Sequence, residues 1–291
     1  MFKSLHSNYF IDLEKHKDLR KKPVQRVILF TNARNEKNIQ EWATHHLLLG
    51  FSLIYIFDHK STIPIQNEFN QNPAFNNRVI VERCEMDGAI KISLMKRASI
   101  IAGSLYADWM LYLDADEFLV LNSFVGVKQM LSRFHFADSV AINWLMFGSN
   151  NHIEEPDGLI VENYTRSDQL LNPHVKSFVR PSQVTTATNP HYFNIVHPRR
   201  MFSISNQPMN PASYSFCDWS IEYGNSPAYI AHYLYQSEET YKNRKLLLPR
   251  DDNGGQREKD NNIHACHNDY ENESVKNKYA VHIRSFLDKW H

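Results

Sequence analysis

The chemistry of this chain is concentrated at Asp114, Asp116 and Glu117, three carboxylates within four positions. They follow Trp109-Met110-Leu111-Tyr112-Leu113, an unbroken apolar run of the kind that forms a fully buried strand. Carboxylates this close repel one another unless a cation sits among them. Oxygen ligands at the end of a buried strand suit a hard divalent ion, Mg²⁺ or Mn²⁺, with water and phosphate completing the shell. The spacing therefore predicts a metal that holds a phosphorylated substrate. The competing reading is that Asp114 and Asp116 merely end the strand, with Asn122-Ser123 capping a following helix. Residue types alone leave both open.

Elements able to position such a cluster are legible upstream. Val27–Thr31, Ser52–Phe57 and Val79–Val81 are short apolar runs, and residues 36–49 and 91–106 carry apolar residues at helical spacing. Asn35 is the expected cap of the first helix and Gly50 its stop. Strands separated by helices imply a mostly parallel sheet in a three-layer α/β fold, whose ligands gather at the carboxyl ends of strands. Thr31–Glu36, Asp58–Ser61 and Asp114–Glu117 are three such ends. Downstream, Ser139–Trp144 and Tyr229–Leu234 read as strands and Phe147–His152 as a turn. A helix is expected near Ser237, and another from Ser274 to Lys289. Residues 251–262, rich in Asp, Asn, Gly and Lys, read as a mobile surface loop. One domain is expected, with a nucleotide-binding half at 24–122, an acceptor half at 123–250, and a loop and helix at 251–291.

Composition narrows the partners. Lys+Arg and Asp+Glu both number 32, so no overall field favours nucleic acid or an anionic membrane. Fifteen histidines are scattered without an HExxH pair. The three cysteines, Cys84, Cys217 and Cys266, form no CxxC, which fits a reducing compartment. No run of about 18 apolar residues occurs, so peripheral docking is the only membrane association expected.

Six elements spread over residues 33–245 resemble a known family. They are Ala33-Arg34-Asn35-Glu36 with Glu41-Trp42…His46…Leu49-Gly50, then Tyr55–Ser61, Trp109–Phe118 and Phe147–His152. Lys176–Pro181 follows, and then His232-Tyr233…Ser237–Tyr241 with Arg244 or Lys245. In this order they are similar to GT-A-fold glycosyltransferases of the family 2-like and family 92-like group, whose DxD motif is matched by Asp114-Ala115-Asp116. One departure is Lys96-Arg97, where that group usually carries a glutamine.

The resemblance implies a Rossmann-like α/β fold with an elaborated C-terminal half. It also implies a metal-dependent, inverting transfer of a hexose from a UDP-sugar to a glycan acceptor, galactose before glucose, with Mn²⁺ or Mg²⁺ as cofactor. Asp116 is the implied direct ligand, with Asp114 on the ribose or a metal-bound water, and His232, ahead of His191, completes the shell. Thr31, Ala33, Arg34, Glu36 and Asp58 are implied in the nucleotide pocket, and Lys176, Lys245, Arg180, Arg244, Lys96 or Arg97 on the diphosphate. An inverting displacement needs a carboxylate base near the acceptor. Glu154, Glu155 and Asp157 are the candidates, with Asp218 and Glu222 beside Trp219 as rivals. Two other functions remain as expectations: a non-catalytic sugar-nucleotide or glycan-binding protein, and a metal-dependent nucleotidyltransferase. A glycine-rich phosphate loop, usual in the latter, is missing from the nine glycines. A cytoplasmic enzyme of bacterial or viral origin is expected before a Golgi one.

Overall fold

The computed structural model describes residues 23–210, 213 and 220–290; Cys217, Asp218 and Trp219 lie outside the described residues. In its first half, β1 (Val27–Ala33), α1 (Ile39–Leu48), β2 (Leu53–His59), β3 (Val79–Cys84), α2 (Lys91–Ser104) and β4 (Trp109–Tyr112) alternate. All seven residues of β1 are buried, because helices cover both faces of the sheet. Val27, Leu29 and Ala33 pack with Trp42, Ala43 and Leu47 of α1 on one face. Ile28 and Phe30 pack with Leu94, Met95 and Ala98 of α2 on the other. This is the three-layer arrangement that the alternating apolar runs predict.

The second half contributes β5 (Glu117–Leu121), β6 (Ser139–Met146), β7 (Asn172–Val179), β8 (Met201–Ser203), β9 (Ala228–His232), α3 (Glu238–Tyr241) and α4 (Ser274–Leu287). The sheet runs β3-β2-β1-β4-β7-β6-β9-β5, with β8 beside β6. The pairs β3–β2, β2–β1, β1–β4, β6–β9 and β6–β8 are parallel. Antiparallel β7 joins β4 to β6, so β1, β4, β6 and β9 all end at the same edge. Mixed α/β architecture with a mostly parallel sheet is therefore observed, and the elaborated second half continues the same sheet.

Three local expectations change. The run from Trp109 breaks after Tyr112, and Glu117 opens a separate strand that pairs antiparallel with β9 at the far edge. The aspartates thus sit in a turn between two strands of one sheet. Asn35 does not cap α1: it takes a left-handed φ of 51°. Its N–H donates to Ser61 Oγ and its Oδ1 accepts from the Thr62 N–H, which ties the ends of β1 and β2. Finally, the segment 251–262 is no free loop. Lys91 N–H donates to the Asp251 carbonyl and Asn32 Nδ2 to Asp251 Oδ2. Gly254, at φ +72°, packs so closely on Gly88 that an added Cβ would lie 3.4 Å from its carbonyl carbon.

α1 holds the second half as well as the first. Glu41 is buried and accepts from the N–H groups of Ile160 (2.7 Å) and Val161 (3.0 Å), which are the first-turn donors of a short helix 119 residues or more away in sequence and have no partner within it. Removing the carboxylate leaves both donors buried without partners. Glu41→Ala is expected to cost about 2–4 kcal/mol of stability. Urea unfolding should show a lower midpoint with an unchanged slope.

Candidate active site

The four strand ends open into a cavity of about 330 Å³. β1 supplies Asn32, with Ala33, Arg34 and Glu36 following, the turn after β4 supplies Asp114–Asp116, β6 Trp144, β7 Lys176 and β9 His232. The far wall is Arg244 and Lys245 from the π-helical turn Lys242–Leu246, continued by the strap Leu248–Asp252 and Arg257.

Glu117 builds the turn that presents the aspartates. Its Oε2 accepts from the Asp114 N–H at 2.9 Å, and its own N–H donates to the Asp114 carbonyl. Trp42 Nε1–H donates to the Glu117 carbonyl at 2.8 Å from below. The carboxyl is fully buried, and burial raises its pKa to about 7.

Each aspartate is met by cations. Asp114 Oδ1 pairs with Lys91 Nζ, and Oδ2 lies 3.0 Å from Lys176 Nζ. Both lysines are buried; Lys91 also donates to Asn32 Oδ1 and lies over the Tyr112 ring. Asp116 is buried, with Oδ2 2.5 Å from Lys245 Nζ and 3.9 Å from Arg244. Burial alone would raise the Asp116 pKa, but Lys245, His232 and Arg244 outweigh it and hold the group well below the usual carboxylate range. Arg244 also pairs with buried Glu36, whose pKa burial raises to about 7.

Two atoms in this array stand apart. Asp116 Oδ1 is buried with no hydrogen-bond partner, and it faces His232 Nε2 at 3.6 Å. Burial lowers the His232 pKa to about 3, so the imidazole is neutral and can offer a lone pair. A carboxylate oxygen and an imidazole nitrogen at that separation fit neighbouring positions on one Mn²⁺ or Mg²⁺. The expected three-residue set is not gathered: among the described residues, no group of three His, Cys, Asp or Glu side chains could hold a metal. Asp114 is engaged by its two lysines, which leaves Asp116 and His232 as the pair that fits.

The other expected residues divide by position. Ala33, Arg34, Glu36, Lys176 and Lys245 line the cavity. Asp58 does not: it accepts from the N–H groups of Ser61 and Ile65 and from Arg83, locking the turn after β2. Thr31 is buried inside β1 and its hydroxyl donates to the Asn32 carbonyl. Arg97 pairs with Glu82 at 2.6 Å on the outer side of the sheet. Arg180 lies over Trp109 and donates to the Ala137 carbonyl. His191 bonds the Val175 carbonyl at 2.9 Å, as a core histidine does, although it touches the cavity rim. Glu155 pairs with Lys37, Glu154 lines a different cavity, and Asp157 is exposed. None of these three lines the main cavity. Glu222 accepts from Gln169 Nε2, also away from it.

Lys91, Asn32, Asp251, Asp252, Arg250 and Arg257 are cavity residues that the motifs did not single out. Lys91 had a signal: it opens the helix after a strand, which in a three-layer fold places it at the ligand edge.

A pH dependence follows from Glu117. Its folded pKa of about 7 lies above the ordinary 4.5, so the folded metal-free protein keeps a proton that the unfolded chain releases. The associated stability is complete below the unfolded value and is lost as pH rises through 7. Glu117→Gln should flatten the fall in stability between pH 5.5 and 8 by up to about 2 kcal/mol, as read by urea unfolding at the two pH values.

The family model for glycosyltransferase family 92 matches residues 102–254, just over half of the chain. No curated protein matches the sequence. Among solved structures, the chain is similar to a 1–349 fragment of S. aureus TarS, with 14% identity over 54% of this chain and 48% of that one, at a TM-score of 0.37. HddC from Yersinia pseudotuberculosis shares 8% identity over 75% of this chain and 97% of its own, at 0.41. The glycosyltransferase GlyE of Streptococcus pneumoniae shares 20% identity over 43% and 30%, at 0.24. The chain spans about half the length of the TarS fragment, and likenesses this loose bring no ligand or activity with them. The family match covers the turn after β4, β6, β7, β9 and the π-helical wall, all of which meet at the cavity. On that match, the chain belongs to glycosyltransferase family 92.

Proposed function

We propose that this chain is a metal-dependent, inverting glycosyltransferase that moves a hexose from a UDP-sugar to a glycan acceptor, with galactose the leading sugar and glucose the second. The carrying observation is the open pair Asp116 Oδ1 and His232 Nε2 in a cavity otherwise lined by cations. Five lysines and arginines there are committed to acids: Lys91, Lys176, Arg244, Lys245 and Arg250. Arg34, with Nε buried and unbonded, and Arg257 have no ion-pair partner among the described residues. A diphosphate is the ligand that suits two uncommitted cations beside a metal pair.

In this reading Asp116 and His232 hold the ion, and Arg34 and Arg257 bind phosphate oxygens. Mn²⁺ or Mg²⁺, when bound, supplies Lewis-acid neutralisation of the departing diphosphate. Lys91 and Lys176 fix Asp114 so that the turn presents Asp116 without adjustment. The acceptor hydroxyl attacks the anomeric carbon and passes its proton to a carboxylate at the rim. Asp251 and Asp252 line the cavity and are the candidates for that base, in place of Glu155, which lies outside it on Lys37. Among the described residues no helix is long and apolar enough to cross a membrane. The proposal includes cytoplasmic action on a glycan that is free or presented at a membrane surface.

Calorimetric titration of UDP into the protein, with Mn²⁺ or with EDTA, tests this reading. UDP should bind with Mn²⁺, and EDTA or Asp116→Asn should weaken binding by about 100-fold or more and abolish transfer from UDP-galactose. Equal binding with and without metal would contradict metal dependence. Silence toward UDP, GDP and CMP under every metal would remove the glycosyltransferase reading.

A further inference from the structure

Lys245 stands beside the place a divalent ion would take. Its ammonium lies 2.5 Å from one oxygen of Asp116, and the other oxygen of that carboxylate is the one facing His232. Lys245 rides on the π-helical turn Lys242–Leu246, none of whose residues is buried. The turn is a wall between two cavities. Arg244 and Lys245 line the first, while Lys242, Asn243 and Leu246 line a second of about 680 Å³. Open space on both sides leaves the turn room to shift, and single π-helical turns are rare and frequent at functional sites.

We propose that Lys245 is a stand-in cation, which neutralises Asp116 in the donor-free protein and transfers to the diphosphate when metal and nucleotide enter together. The proposal rests on the function given above. Its basis is charge balance in a confined space. Lys91, Lys176, Arg244 and Lys245 already surround Asp114, Asp116 and Glu36. A divalent ion arriving alone adds two positive charges beside Lys245, while the other carboxylates of the cavity, Asp251 and Asp252, are engaged by Asn32 and Arg250. A diphosphate arriving with the ion supplies the receiving anion and restores the balance. Metal and nucleotide are therefore coupled, and Lys245 carries the coupling. By linkage, each tightens the other by the same factor.

Mn²⁺ binding, read from the electron paramagnetic resonance signal of the free ion, tests this with and without UDP. Wild type should bind Mn²⁺ weakly alone, and about tenfold or more tightly with UDP. Lys245→Met should bind Mn²⁺ alone about tenfold more tightly than wild type, with the gain from UDP reduced to match. Lys245→Arg, which keeps the charge, should retain the coupling. Lys242→Met changes the same charge on the same turn but faces the second cavity, and should behave as wild type. An unchanged Mn²⁺ affinity in Lys245→Met would overturn the proposal, as would an equal gain in Lys242→Met. In both cases normal Mn²⁺–UDP binding by wild type would leave the proposed function standing. Failure of wild type to bind Mn²⁺ even with UDP would remove both.

Discussion

A carboxylate drawn partly or wholly out of water at a strand end stays ionised only if cations are brought to it, and the architecture of this chain is arranged around that requirement. Asp114 needs Lys91 from α2 and Lys176 from β7; Asp116 needs Lys245 from the π-helical turn; Glu36 needs Arg244 from the same turn. Each cation arrives from a different part of the chain than its acid. The cavity is therefore a product of the assembled sheet edge, with antiparallel β7 carrying Lys176 into its centre. Buried ion pairs contribute little net stability against apolar replacements. In the proposed function the pairs have a use: a metal and a diphosphate would bring opposite charges and could exchange with the pairs already present.

Much of the sequence pattern turns out to be framework for that site. Trp42 supports the turn through the Glu117 carbonyl, and His46 Nε2 accepts from the Leu119 N–H at 3.3 Å. Glu41 ties α1 to the second half, and Asp58 ties the end of β2 to its loop. These residues lie within the elements that resemble the glycosyltransferase group, yet none lines the cavity. A motif residue can mark the geometry that a reaction needs without touching the reactants.

Legibility followed the range of the interactions. The strand–helix alternation of the first half could be read because buried parallel strands are short apolar runs and their helices carry local periodicity. Asp114, Asp116 and His232 adjoin apolar strands, whereas Lys176 and Lys245 stood out only through the family resemblance; all five line the cavity. Asp58 and Thr31 lie near strand ends, but whether such a side chain points to the cavity or the frame depends on the local turn; Arg97 lies mid-helix in α2 and turns to Glu82 instead. Asp251 and Asp252 were hidden by composition. Arg-Asp-Asp-Asn-Gly-Gly reads as solvated loop, and only the hydrogen bonds to Asn32 and Lys91 turn it into a cavity wall. The insertion of β7 between β4 and β6 depends on pairing across 28 to 69 residues, which local pattern does not encode.

The central claim is that Asp116 and His232 form the protein's share of a metal seat while Asp114 is held by lysines. Crystals grown with Mn²⁺ and UDP, measured at the manganese absorption edge, test it directly. The account predicts one anomalous peak within roughly 2–2.5 Å of both Asp116 Oδ1 and His232 Nε2, with Lys91 and Lys176 still on Asp114. A peak centred on Asp114, or ordered UDP without any peak in the cavity, would contradict it.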